Sequence, residues 1–457
     1  MSLVDALGDP PKHQAILNAR RRQRQQQHRL QDRWDQWQQQ ATAVKQRSQM
    51  RLSQLLVQLE QRLQQQGVQV HWAKDGVEHN HQVVSLLQRH QCQSLVQGAS
   101  RLLQECDLAA ALTAQNISLS PSDMAGKLRQ SGIDTSMNSA QIAQQLQAQR
   151  ANSTDVTAKP AEPLMPCPVL LTKTLRYQIR QQLLHCEAVI VEAKWAAAEA
   201  GALVLCGNEG DQELALGIAP VQIFSLALDS VVANLTEVMA LARVYGPNTT
   251  GQRWRTYHSI YRRPRPNTQM HLIIVDNGRS QALQHPNLSG LSQCIGCDAC
   301  DLHCPVVVAS TEFPSVHQTA PVSAALRHGM PLPLNLAHDK TQAANSSISG
   351  LCTGCGACEV VCPTQVPLLR AMGHWRHQHR FMPSPQWRHG MRLRTLCASP
   401  SRLRLAGQWA RRLRRWLPNS ALTLLFGHWG TSLAMQQPAN LSVEQWFAQR
   451  QTNKGMS

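Results

Sequence analysis

Two stretches of this sequence repeat one pattern of cysteines. The first is Cys294-Ile-Gly-Cys297-Asp-Ala-Cys300-Asp-Leu-His-Cys304-Pro305, and the second is Cys352-Thr-Gly-Cys355-Gly-Ala-Cys358-Glu-Val-Val-Cys362-Pro363. Both follow C-x2-C-x2-C-x3-C-P, the ligand run of bacterial proteins that hold two 4Fe–4S clusters. The spacing has a geometric cause. Three thiolates at successive three-residue steps can wrap a tight loop around three corners of one cube. The fourth, launched on a short helix, points away and serves the other cube. The expected ligands are therefore Cys294, Cys297, Cys300 and Cys362 for one cluster, and Cys352, Cys355, Cys358 and Cys304 for the other. Gly296, Gly354 and Gly356 let backbone N–H groups approach the inorganic sulfide. Pro305 and Pro363 fix φ after the fourth ligand and turn the chain away.

The competing chemistry is structural zinc, which favours two well-separated C-x2-C pairs around one tetrahedral S4 site. Three cysteines in steps of three, then a fourth and a proline, all repeated, do not suit that plan. Crossed ligation brings the two cubes close together, and four cysteines per cube leave no open coordination position. Such clusters pass electrons and do no bond chemistry themselves. The sequence has no Walker loop, no G-x-S-x-G elbow and no dinucleotide fingerprint, so no catalytic residue of its own is expected. Cys92, Cys106, Cys167, Cys186, Cys206 and Cys397 are scattered and expected to be buried free thiols.

The elements that must position these cysteines fall into four segments. Residues 1–66 are Gln- and Arg-rich, and Leu52, Leu55, Leu56, Leu59 and Leu63 make an apolar stripe at helical spacing. A helical N-terminal arm with one face packed on the body follows. Over 67–284, β-type runs at 68–72, 94–98, 188–191, 202–206 and 271–276 alternate with helix-like segments at 105–115, 139–147 and 175–184, which is the pattern of an α/β layered domain. Small and polar residues at about 151–168 mark a linker inside it. Residues 285–370 form a small cluster domain of loops and short helices. The tail, 371–457, is basic and rich in Trp and Arg. In it Leu405, Trp409, Leu413, Trp416 and Leu417 share a helical face, with Arg411, Arg412, Arg414 and Arg415 largely elsewhere. Such a helix suits docking on an acidic partner subunit or, second, an anionic membrane surface.

The charge of +17 favours anionic partners, but no recognised DNA- or RNA-binding motif accompanies it, so nucleic acid is not the expected one. No stretch of about eighteen apolar residues is present to span a bilayer. The N-terminus lacks the pattern of a signal peptide. Fourteen cysteines without an export signal point to reduced thiols or metal ligands in the cytoplasm.

Beyond the cysteines, the flanking sequence resembles the iron–sulfur B family of the bacterial lactate-utilisation system. The likeness runs through Val70-His71-Trp72-Ala73, then Ala198-Glu199-Ala200-Gly201 and Asn208-Glu209-Gly210, and Thr250-Gly251-Gln252. It continues in His271-Leu272-Ile273-Ile274-Val275-Asp276-Asn277-Gly278-Arg279-Ser280 and, after the second run, Val366-Pro367-Leu368. Trp387 and Trp446-Phe447 match the family's ending, and the likeness covers roughly residues 45–450. The resemblance implies an α/β domain of the lactate-utilisation (LUD) type, related to phosphosugar isomerases and CoA transferases, followed by a two-cluster ferredoxin-like module. It also implies a three-part complex oxidising L-lactate to pyruvate, with a cysteine-rich iron–sulfur subunit and a smaller LUD-domain protein as partners. The ferredoxin half follows the family closely. The α/β half departs from it at Gly98-Ala99-Ser100-Arg101, at Ser122-Asp123-Met124-Ala125-Gly126, and at Val189, Glu192, Ala200 and Gln222.

Glu199, Asn208 and Glu209 fall beside strand ends, where α/β domains bind ligands, though turn and capping chemistry explains such residues as well. His79-x-His81 and His374-x2-His377-x-His379 are expected to be ordinary polar residues. The expected function is an electron-transfer subunit of an oxidoreductase complex. The alternative is a redox- or oxygen-sensing regulatory protein whose basic surface binds nucleic acid.

Overall fold

The computed structural model describes residues 10–133, 139–152, 165–255, 257–305 and 352–378. Most of the expected linker, the segment between the cysteine runs, the basic tail and Cys397 lie outside the described residues.

The arm is three consecutive helices, α1 (Pro10–Arg29), α2 (Gln31–Met50) and α3 (Leu52–Gln65). Ten strands follow among the described residues: β1 (Gln69–Ala73), β2 (Ser94–Gln97), β3 (Ser118–Pro121), β4 (Ala188–Glu192), β5 (Trp195–Ala197), β6 (Ala202–Gly207), β7 (Val221–Ala227), β8 (Val231–Val232), β9 (Tyr257–Tyr261) and β10 (Gln269–Val275). Six of them form a parallel sheet in the order β1-β10-β7-β4-β2-β3. The other four make a smaller sheet in the order β8-β5-β6-β9, with β5–β6 and β6–β9 antiparallel and β5–β8 parallel. The chain is thus a mixed α/β protein built on a parallel sheet.

Side chains that alternate along a strand go to opposite faces. Val189 and Val191 of β4, Phe224 and Leu226 of β7, and Leu272 and Ile274 of β10 share one core. Ala188 and Ile190, Ile223, and Ile273 and Val275 enter the core on the other side. The leucine stripe of α3 seals the first face, with Leu52, Leu55, Leu56, Leu59 and Leu63 all buried. Burying one such leucine contributes about 1.5–3 kcal/mol.

Every expected strand is present, but the structure adds five. The apolar run at 218–235 contains β7, which lies centrally between β10 and β4 and is buried at all seven positions. A strand covered on both faces has no polar–apolar alternation to reveal it. The expected helix at 105–115 is broken. Asp107 takes a left-handed conformation (φ 53°), and two short helices, Arg101–Glu105 and Leu108–Ala114, stand on either side. Among the described residues no helix is long and apolar enough to cross a membrane.

His79 is wholly buried, with Nε2 2.9 Å from Ser225 Oγ on β7 and Nδ1 3.0 Å from Asn80 Oδ1. Burial pushes its pKa down to about 4 from the ordinary 6.5. The unfolded chain therefore takes up a proton that the folded chain refuses. Stability from this group is complete above pH 6.5 and is lost as the pH falls towards 4, by about 3 kcal/mol in all. Denaturant unfolding at a series of pH values should show this slope, and His79→Gln should flatten it between pH 6.5 and 4. A slope of unchanged steepness in that variant would assign the effect elsewhere.

Candidate iron–sulfur centre and adjoining cleft

The two cysteine runs fold alike. Each crosses a left-handed residue, Asp298 (φ 56°) or Gly356 (φ 76°), into a five-residue helix, Ala299–His303 or Ala357–Val361. Each helix ends on its fourth cysteine with nearly the same backbone, φ −70° and ψ 121° at Cys304, φ −69° and ψ 121° at Cys362. A change from a glycine-type turn to a short helix is what the C-x2-C-x2-C spacing predicts.

One small cavity is lined by Cys294, Cys297, Cys300 and Cys362, so three thiols of the first run and the last of the second share a void. Burial pushes the Cys297 thiol well above its usual pKa, and the nearby Cys362 pushes it further. Cys300 is raised in the same way, by burial and then by Asp301 and by its sister cysteines. In the second group, burial and then Cys352, Glu359 and Cys304 push the Cys358 thiol up to about 12. Cys304 of the first run thus stands among the thiols of the second. Cys355 is the exposed member of the eight and has its thiol lowered, by hydrogen bonds from the Ala357 backbone and the Thr353 side chain.

The surroundings suit iron–sulfur cubes. The Gly296 amide donates to Cys294 Sγ at 3.3 Å, and the Val366 amide donates to Cys362 Sγ at 3.3 Å, the contacts that tune cluster ligands. Among the described residues no group of three or more His, Cys, Asp or Glu side chains is set to hold a single metal ion. The thirteen described cysteines form no disulfide. Leu288, Leu291, Val366, Leu368, Ala371 and Met372 pack around the sulfurs as a small core.

Next to the first cysteine loop lies a cleft of about 560 Å³, a size that admits a small molecule. It opens at the carboxyl ends of β2, β4 and β6, through Ser100 and Arg101, Glu192 and Lys194, and Asn208 and Glu209. Gly296, Cys297 and Asp298 of the cysteine loop form part of its wall. Tyr245 and Arg255 also line it, and the guanidinium of Arg255 lies 5.9 Å from the Tyr245 ring centre. The Nε of Arg255 is buried and meets no hydrogen-bond acceptor among the described residues. Burial pushes the Tyr245 hydroxyl up to about 12, keeping it protonated.

Glu192 holds this region together. Its Oε2 accepts from Ser100 Oγ at 2.8 Å, the Arg101 amide at 2.9 Å and the Leu102 amide at 3.1 Å. Arg101, fixed in this way, reaches Asp298 Oδ1 at 2.9 Å. Lys194 Nζ donates to the Gly296 carbonyl at 3.2 Å and lies 3.7 Å from Glu192 Oε1. Asn208 and Glu209 reach the cleft as the sequence suggested. Asn208 donates to Gln252, and Glu209 accepts from the Met124 amide. Glu199 does not; it is exposed in the turn after β5, and its amide bonds the Ala233 carbonyl. His81 is exposed, and the His374 ring lies tilted against His285 with ring centres 4.1 Å apart. Arg101, Lys194, Tyr245 and Arg255 were not singled out as site residues. The usable signal was Lys194, a lone lysine just past the all-apolar stretch of β4.

A side chain at Gly296 would strain the loop and displace Lys194. The φ of Gly296 is +61°, and a Cβ would stand 2.7 Å from Lys194 Nζ. Gly296→Ala should therefore release the lysine from the loop, cost about 1–2 kcal/mol in backbone strain and lower iron retention. Iron content and thermal midpoint measured side by side would check this, and wild-type values for both would contradict it.

Comparison with known proteins adds the following. Residues 56–280 match the family described as LUD domain, and residues 290–366 match the 4Fe-4S dicluster domain, which indicates two 4Fe–4S clusters. The chain is 28% identical over 345 residues to "Lactate utilization protein B" of Bacillus cereus, and 27% identical over the same length to that of Bacillus thuringiensis. "Lactate utilization protein B 2" of Bacillus mycoides is also 27% identical, and each of the three alignments covers 73% of this chain and 70% of the relative. Among solved structures, a DUF162 family protein from Deinococcus radiodurans is similar over 49% of this chain and 98% of its own, with 14% identity and a TM-score of 0.29.

Proposed function

Because the chain carries a LUD domain and a 4Fe–4S dicluster domain and is homologous to lactate utilization protein B, we propose that it is the electron-conducting iron–sulfur subunit of a cytoplasmic complex that oxidises a 2-hydroxy acid, lactate first among them. The observation that carries this reading is the crossed grouping of thiols. Cys362 joins Cys294, Cys297 and Cys300 around one cavity, and Cys304 stands with Cys352 and Cys358. We assign the first four to one cluster, and Cys304, Cys352, Cys355 and Cys358 to the other. When bound, the clusters supply one-electron transfer.

What the chain itself does is hold, insulate and connect. All four corners of each proposed cube are cysteine, which leaves no position for substrate. The short helices bring the last thiol of each run to the other loop, so the two sites are necessarily neighbours. The apolar core around Cys300, Cys358 and Cys362 keeps water from the sulfurs. The cleft beside Cys297 offers room for a small acid or for a partner's side chain, and we assign no bond-making residue to it. A cysteine-rich iron–sulfur subunit and a smaller LUD-domain protein are the partners proposed from the resemblance.

Anaerobically purified protein should hold about eight irons and eight labile sulfides, as two four-iron cubes require. It should be reduced by dithionite and reoxidised without loss of iron. Cys362→Ala should remove the cluster of the distant first run, cutting iron to about half. Colourless protein with one zinc per chain, or a Cys362→Ala variant that loses only the second run's cluster, would refute the assignment.

A further inference from the structure

Two cations of the α/β domain reach across to the first cysteine loop, and neither belongs to the cluster-ligand pattern. Arg101 opens the helix Arg101–Glu105, and its side chain is only 13% exposed. It lines both the cleft and the cavity of Cys294, Cys297, Cys300 and Cys362. Lys194, equally shielded, grips the loop through the Gly296 carbonyl. Burial opposes the charge of each. The Asp298 carboxylate at 2.9 Å offsets that burial for Arg101, as the Glu192 carboxylate at 3.7 Å does for Lys194, whose amine also lies 5.1 Å from the Tyr245 ring centre, and both remain cationic.

The second cysteine group has different neighbours. Among the described residues Glu359 acts on Cys358 and accepts from the Leu369 amide, and Arg20 Nη2 lies 3.5 Å from the Cys304 carbonyl. Arg101 and Lys194 thus reach the loop of Cys294, Cys297 and Cys300.

One-electron reduction adds a negative charge to a cluster. No bond in the protein forms or breaks; the electron comes from the reductant. A fixed cation in a shielded site stabilises that added charge far more than an exposed one would. We propose that Arg101 and Lys194 are positioning residues that raise the reduction potential of the cluster held by the first run, so that the α/β domain sets the electron affinity of one member of the pair. The inference rests on the reading that both cysteine groups hold clusters. It extends that reading by giving the α/β domain a role in the relay itself.

The test is potentiometric titration of the anaerobically purified full chain and of Arg101→Gln, Arg101→Lys and Lys194→Gln, with each cluster followed by its paramagnetic resonance signal. Arg101→Gln should lower one midpoint by at least about tenfold in the reduction equilibrium, which is 59 mV for a one-electron couple, and move the other far less. Arg101→Lys, which keeps the charge, should stay near wild type, and Lys194→Gln should shift the same midpoint in the same direction. Unchanged midpoints in fully loaded Arg101→Gln would overturn the inference, as would two midpoints moving together or an equal fall in Arg101→Lys. Should Arg101→Gln fail to take up its cluster, Lys194→Gln decides alone: a lowered midpoint supports the role and an unmoved one overturns it. Wild-type protein lacking eight irons would instead defeat the cluster assignment, a result distinct from all of these.

Discussion

A single carboxylate at the end of β4 fixes the relation between the sheet and the cysteine loops. Glu192 collects Ser100 Oγ and two amides at the start of the helix Arg101–Glu105 on one oxygen, while its other oxygen faces Lys194. Charge-assisted bonds of this kind are short and strong, and a shielded site sharpens them. Their consequence is positional. With the helix start held against β4, Arg101 reaches Asp298 Oδ1. With Lys194 held beside the same carboxylate, its amine reaches the Gly296 carbonyl. Removing the carboxylate would leave two buried cations near one another with less to offset them, a costly arrangement.

The N-terminal helices complete the attachment from the other side. Arg20 of α1 donates to the Leu302 and Cys304 carbonyls. Gln38 of α2 donates to the Cys362 carbonyl at 2.8 Å, and Gln49 to the Ser289 carbonyl at 3.1 Å. The Arg20 and Gln38 bonds satisfy carbonyls at the ends of the two short helices, where helix geometry leaves acceptors unpaired. Meanwhile Ala41 and Val44 pack into the core that also holds Trp195, Ile295 and Ala299. The arm is a strap whose last helix is anchored by leucines in the main core and whose first two hold the cysteine domain.

How much of this the sequence disclosed depends on the range of the interaction. The cysteine pattern is local, and its backbone consequences follow from spacing, so both loops were legible. The α3 stripe and strands β1, β2, β4, β6 and β10 were legible because their apolar runs are bounded by polar or turn residues. β7 was not, since a strand covered on both faces shows no alternation, and the break at Asp107 was not, since the flanking residues favour helix throughout. The cleft was legible only in part. Asn208 and Glu209 follow a visible strand end, but Tyr245 and Arg255 enter from a helix and from a loop before β9, and nothing in their local sequence announces that they converge. Glu192 shows the limit most clearly. In the sequence it is a departure from a family pattern; only the fold reveals that three donors meet it.

Three residues of the α/β half meet the iron–sulfur module as one group. Ser100, Arg101 and Glu192 form one connected group that ends on Asp298. Asp298 is one of the positions at which the two cysteine runs differ, with Gly356 in its place in the second. Both runs need a left-handed residue there, and the second uses glycine, which adopts it freely. Aspartate adopts it at some cost but brings a carboxylate, and that carboxylate is what Arg101 binds. Among the described residues nothing lies within 4 Å of where a Cβ on Gly354 would stand in the second loop, whereas Gly296 in the first is pressed against Lys194. A symmetric pair of cysteine loops has thus been made unequal by side chains outside it, with one loop gripped by the α/β domain and the other left with an exposed cysteine.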